Sequence, residues 1–184
     1  MVQVVVLGAG LGGTIMAYEL RDALGKQHKI AVVNKGSRYS FVPSNPWVAV
    51  GWRDRAATEV DLVPVLKTRD IALYPQGAQR VHPAEKRIEL TDGTSLAYDY
   101  LVIATGPELA FDEIEGLGPE GFTQSVCHID HALSAKTAFD KLVANPGPVI
   151  IGAVQGASCF GPAYEFTFIL DKALRDAKVR DRVP

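Results

Sequence analysis

Cysteine is scarce in this chain: two residues, Cys127 and Cys159, among 184. Two thiols cannot build a disulfide scaffold, and a chain of this length can bury a core without one. The start of the sequence lacks a basic segment leading into an apolar stretch and a small-residue cleavage site, so no secretory leader is expected. In a reducing compartment a cysteine pair is more often catalytic or metal-binding than structural. Long apolar runs are missing too. The longest candidate, residues 148–154, falls far short of the roughly 18–20 residues that cross a bilayer. Neither sign of charge dominates, the formal net charge being −2, which leaves no electrostatic footprint for nucleic acid.

What is present is ordinary globular material, 47% hydrophobic and 22% charged, enough for one domain or for one domain and part of another. Residues 2–7 form a nearly continuous apolar run, the pattern of a strand buried on both faces. Leu11, Ile15, Met16, Leu20 and Leu24 then recur at helical spacing, predicting a helix that packs this face on a sheet, with Gly25 as its C-cap. Residues 29–34 read as a second, parallel strand. From residue 36 to 52 Ser37, Pro43, Ser44, Asn45, Pro46 and Gly51 alternate with Tyr39, Phe41, Trp47 and Trp52, a loop whose composition suits a ligand surface. A helix is expected over 61–69, strands over 72–81, 87–90 and 95–98 with a turn at 91–94, and another buried parallel strand over 100–104. Asp130 is expected to cap a helix over 130–143. A strand over 149–152 and a helix over 162–178 would open a second nucleotide-type fold. The expectation is therefore an α/β chain: a Rossmann-like dinucleotide-binding βαβ fold over 1–110, incomplete, then a connector and the start of a second dinucleotide-type domain over 111–184.

Gly8, Gly10 and Gly13 make G-x-G-x-x-G between the first strand and helix, with Gly12 inside it. The first glycine permits a tight turn, the second admits a pyrophosphate, and the third lets helix and strand approach. The acid expected at the end of the second strand is absent. Asn34 stands there, able to meet ribose hydroxyls without charge, beside Lys35, which could meet a phosphate; both also fit a solvated strand end. Residues 99–106 end in Ala104, Thr105 and Gly106, small enough for backbone to reach a dinucleotide. A second glycine loop is lacking, because Val154 stands in Gly152-Ala153-Val154-Gln155-Gly156-Ala157 where a pyrophosphate would need glycine. A nicotinamide partner is not expected there.

The thiols admit three readings: redox-active, part of a metal site, or inert. Their spacing excludes a CxxC dithiol. Cys159 precedes a helix start, which favours the nucleophilic thiolate. The run Cys127-His128-Ile129-Asp130-His131 offers irregular spacing and no second cluster, so no metal site is expected. His131 suits proton transfer near the thiols or an ordinary helix surface. Glu165 suits proton transfer if buried, and is a plain surface carboxylate if exposed.

Taken together, residues 41–52, residues 104–111 and the run Gly156-Ala157-Ser158-Cys159-Phe160-Gly161-Pro162-Ala163-Tyr164-Glu165 resemble the bacterial and archaeal sulfide:quinone oxidoreductases, over essentially the whole chain. The resemblance implies FAD on Gly8, Gly10 and Gly13, surrounded by Asn34, Pro43, Ser44, Asn45, Ala78, Thr105 and Gly106. It implies that Cys159 attacks sulfide sulfur and carries growing polysulfide, that Cys127 lies close to the flavin, and that His131 and Glu165 handle protons. Sulfide and quinone are the substrates so implied. A place in the cytoplasm or on the cytoplasmic membrane surface follows, through segments not in this sequence, with a homo-oligomer open. Members are more than twice as long, so these residues read as an amino-terminal part, expected to retain FAD weakly or not at all and to reduce no quinone alone. The flavin subunit of a flavocytochrome c sulfide dehydrogenase, a type II NADH:quinone reductase and a non-catalytic nucleotide-binding module are the alternatives.

Overall fold

A computed structural model describes residues 1–157 and 159–184. In chain order the elements begin β1 Gln3–Leu7, α1 Leu11–Leu24, β2 Lys29–Val33, β3 Arg38–Ser40, α2 Asn45–Ala49, β4 Glu59–Asp61 and α3 Leu62–Thr68. They continue with β5 Ala72–Tyr74, β6 Ala78–His82, β7 Arg87–Leu90, β8 Ser95–Ala97, β9 Tyr100–Ile103, α4 Ile129–Ala144 and α5 Gly161–Asp176. Two compact units result, one made of Met1–Ser40 with Glu59–Glu108, the other of Phe41–Thr58 with Leu109–Pro184.

The first unit is built on a parallel sheet in the order β5-β2-β1-β9. β1 and β2 occupy its centre, and their valines are buried on both faces, as continuous apolar runs require. β9 is parallel to β1 but forms the edge, and Ile103 is 68% exposed. The expected buried strand is only partly buried: Tyr100 and Ile103 are exposed, and among the described residues β9 has a hydrogen-bonded neighbour on one flank alone. The run expected as one strand over 72–81 is two: β5 joins the parallel sheet, while β6 pairs with β7 in an antiparallel β6-β7-β8 sheet. Pro75, which has no N–H to give a ladder, and Gly77 at φ +79° turn the chain between them. The turn after β7 is the expected one, with the Thr94 N–H donating to Asp92 Oδ1 at 2.9 Å.

α1 packs differently from its apolar periodicity. Gly13, Ala17 and Arg21 are its buried residues, whereas Leu11, Ile15 and Met16 are exposed. Small residues at i, i+4 bring the helix close to the sheet, and closeness outweighs the bulk of the neighbouring face. Arg21 ends the stripe. Its Nη1 donates to the Gly25 carbonyl at 2.6 Å and the His28 carbonyl at 3.0 Å, and its Nη2 donates to the Asp70 carbonyl at 2.6 Å. One guanidinium thus caps α1, anchors the approach to β2 and holds the turn after α3. Gly25 is the C-cap expected of it.

The second unit gathers α2, α4 and α5. Residues 36–52 are not an open loop: Ser44, Asn45, Pro46, Val48, Ala49 and Val50 are buried, and α2 packs against α4 and α5. The segment closes on itself through the Phe41 N–H, which donates to the Thr58 carbonyl at 2.9 Å. α4 is capped by His128 rather than by Asp130, which sits in the first turn and accepts from Arg55 at 2.7 Å. An acid there still meets the positive end of the helix. Residues 149–152 form no strand. Ile150 is exposed, and the Val149 N–H donates to the Pro184 carbonyl at 3.2 Å. A strand exists only as part of a ladder, and among the described residues none flanks it. α5 buries Ile169, Leu170, Ala173 and Leu174 in its carboxyl half and leaves Tyr164 and Phe168 exposed in its amino half. Among the described residues no helix is long and apolar enough to cross a membrane.

Two outcomes follow. Replacing Arg21 with Ala strands three carbonyls and is expected to cost about 3 kcal/mol in denaturant unfolding; Lys should not restore it, because one ammonium lacks the guanidinium fork. Asp171, bridged first by Arg175 and then by Arg180, has its carboxyl lowered from 3.8 to about 2. Because the folded value is depressed, the tie between α5 and residues 180–182 is complete above the ordinary 3.8 and fades as pH falls through about 2. A carboxyl-carbon NMR titration should find that low midpoint, and Arg180→Ala should raise it.

Candidate functional site

The loop from β1 to α1 is shaped by close backbone contacts. Gly8 adopts φ +101°, and a Cβ there would lie 2.3 Å from the Ala104 carbonyl oxygen just beyond β9. A Cβ on Gly13 would lie 2.0 Å from the Gly8 carbonyl oxygen. These two glycines are required by the protein itself. Gly10, Gly12 and Gly106 differ: a Cβ on any of them would meet nothing within 4 Å. Gly10 is the N-cap of α1, with no side-chain bond closing that end. The first N–H groups of a helix have no intrahelical partner. Bare backbone at a helix start, fronted by open space, fits a dinucleotide pyrophosphate.

Around this loop the fold gathers Asn34, Ala104 and Thr105. The Ala104 N–H donates to the Leu7 carbonyl at 2.8 Å, and the Thr105 Cα would stand 3.0 Å from a Cβ on Gly8. Asn34 is turned toward the protein: its Oδ1 accepts from the Ala9 N–H at 3.0 Å. Lys35 is exposed and forms an isolated bridge with Gln76. Ala78 begins β6 and packs among Leu7, Tyr74 and Leu90, in a cluster apart from the one holding Ala9. Thr14 carried no sequence signal, yet its Oγ1 donates to the Ala9 carbonyl at 3.1 Å. A hydroxyl one residue after the last glycine of the fingerprint was the available cue.

The other candidates lie in the second unit. Pro43 is exposed and Ser44 buried. Asn45 is fully buried at 0% exposure, and among the described residues neither its Oδ1 nor its Nδ2 has a partner. An orphaned buried amide is costly to the fold. Cys127 and Cys159 are both free and exposed. Cys159 stands two residues before α5, and Ser158 beside it lies outside the described residues. His131 is half-buried, its Nδ1 enclosed without a partner, its ring centroid 5.5 Å from Phe111 and 5.6 Å from His128. Glu165 is exposed on α5, so the burial that would suit it to proton transfer is not there.

Fold and loop define the class: an α/β protein with a dinucleotide-binding βαβ unit. Residues 2–159 match the family described as pyridine nucleotide-disulphide oxidoreductase, and the chain belongs to it. Among its relatives, the sulfide-quinone reductase of Aquifex aeolicus is 40% identical over 181 residues, 98% of this chain and 41% of that protein. The mitochondrial sulfide:quinone oxidoreductase of Dictyostelium discoideum is 29% identical over 98% of this chain and 40% of its own length. The X-ray structure of the Aquifex aeolicus sulfide:quinone oxidoreductase superposes with a TM-score of 0.93 at 40% identity, covering all of this chain and 42% of that one. The chain thus spans about two fifths of the length of these relatives.

The glycines separate by experiment. Gly13→Ala forces a methyl onto a carbonyl and is expected to lower stability by about 3 kcal/mol or more. Gly10→Ala enters open space, and the loss of glycine at the N-cap should lower stability by no more than about 1 kcal/mol.

Proposed function

We propose that this chain supplies the FAD-binding unit and the sulfur-handling thiols of a sulfide:quinone oxidoreductase. The observation that carries the reading is the division among the loop glycines. Gly8 and Gly13 are closed against protein, while Gly10 and Gly12 leave bare backbone facing open space. The 40% identity to the Aquifex aeolicus sulfide-quinone reductase supports the choice of cofactor and substrate. Gly8, Gly10, Gly12 and Gly13 hold the pyrophosphate. Ala104, Thr105 and Gly106 approach the dinucleotide as backbone, with Lys35, Ala78, Pro43, Ser44 and Asn45 as further contacts.

FAD, when bound, accepts the two electrons of sulfide oxidation and delivers them to quinone. This chain's own work is to present sulfur. Cys159 is the nucleophile and sulfur carrier, exposed and so open to a small anionic sulfide. Cys127, equally exposed, is the second thiol, four residues before His131 on the same strip of chain. His131, one ring nitrogen enclosed, is the proton-handling residue of this group, and exposed Glu165 is a surface carboxylate. Within residues 1–110 the cofactor fold is carried by Met1–Ser40 and Glu59–Glu108, and 111–184 contribute to a second domain. The complete protein works from the cytoplasm or the surface of the cytoplasmic membrane.

Sulfide-dependent reduction of a water-soluble quinone, measured in the FAD-loaded complete protein, tests the assignment. Cys159→Ala is expected to cut turnover by about a thousandfold or more with flavin content unchanged. Unchanged turnover removes Cys159 from this role.

A further inference from the structure

Asn34 occupies the place where a dinucleotide fold ordinarily sets an acid on the ribose, but its side chain is already spent on protein. Its Oδ1 accepts from the Ala9 N–H at 3.0 Å, and its Nδ2 donates to the Gly36 carbonyl at 3.0 Å. The residue is itself anchored, its N–H donating to the Tyr74 carbonyl of β5 at 3.0 Å. Ala9 is buried, and its carbonyl accepts from Thr14 Oγ1 at 3.1 Å. Just before it, the Gly8 N–H donates to the Val33 carbonyl at 2.8 Å. Both peptide groups of Ala9 are therefore held by side chains, one from the end of β2 and one from the first turn of α1.

The two neighbours of the amide dictate its chemistry. An N–H on one side demands an acceptor, and a carbonyl on the other demands a donor. Aspartate would serve Ala9 equally well, yet its second oxygen would face the Gly36 carbonyl oxygen, acceptor against acceptor. Alanine would serve neither, leaving a buried N–H at Ala9 unpaired. Asparagine answers both at this length of side chain.

We infer that Asn34 is a positioning residue that clamps the Gly8–Gly13 loop in its anion-receiving shape, and that it does not take the ribose-binding part of the missing acid. The cofactor side of this inference rests on the FAD reading above; the clamp itself can be read without any cofactor. In the unliganded chain, amide exchange followed by NMR should show the Ala9 N–H protected, and Asn34→Ala should speed its exchange by about tenfold or more. In FAD titrations, Asn34→Ala and Asn34→Asp should both weaken binding by about tenfold. The aspartate variant decides between roles. A ribose contact predicts that a carboxylate binds FAD as tightly as asparagine or more so, and that result overturns the inference. Unchanged Ala9 exchange in Asn34→Ala overturns it as well, as does freed Ala9 with undiminished FAD affinity. If the unsubstituted complete protein binds no FAD while Asn34→Ala still frees Ala9, the clamp stands and the FAD reading falls.

Discussion

The passage of the loop after β1 beneath the end of β9 constrains everything else in the first unit. Gly8 leaves no room for a side chain beneath Ala104, and Gly13 leaves none against Gly8. Once those backbones touch, α1 must lie low on the sheet, and only small residues suit the face it turns inward. Gly13 and Ala17 provide that face, and Arg21, one turn further, has its guanidinium delivered to three carbonyls at the far end of the helix. The same closeness aims the start of α1 past the ends of β1 and β9, where Gly10 and Gly12 are uncovered. Packing and ligand geometry here are one constraint seen from two sides.

The second unit rests on a different principle, apolar burial between short helices. Val48, Ala49, Ile129, Ala132 and Ala135 make one cluster. Val50 with the carboxyl half of α5, Val179 and Val183 makes another. Small residues again allow close helix approach, while the polar exceptions stand out. Asn45 is sealed without a partner, and His131 has one ring nitrogen enclosed. The exposed thiols sit at the margins of this framework, one just before α4 and one just before α5, so the packing holds their backbone while leaving sulfur accessible.

Much of the first unit was legible because its signals are local. A buried apolar run, a glycine loop and a helical period succeed one another within 24 residues, and β1, α1 and β2 stand where that pattern places them. Gly25 and the turn at residues 91–94 were equally readable, each depending on a few adjacent residues. The failures share a cause. The buried face of α1, the division of residues 72–81 between two sheets, the edge position of β9 and the lack of a ladder at 149–152 all depend on neighbours distant in sequence. Residues 36–52 read as a loop suited to a ligand surface from their polar and aromatic composition, yet within them Val48, Ala49 and Val50 face helices some 80 to 120 residues further along.

By itself the sequence determined the dinucleotide loop, since glycine spacing sets directly where backbone can turn and where it can be approached. It determined too the kind of chemistry on offer, two thiols and no second glycine loop. The tertiary structure alone decided what Asn34 does, because its partner Ala9 lies 25 residues away. Likewise it decided that both thiols are accessible, that Glu165 is not buried, and that Asn45 is. Hydrogen-bond partners and solvent exposure belong to the packed chain, and no residue carries them in its identity.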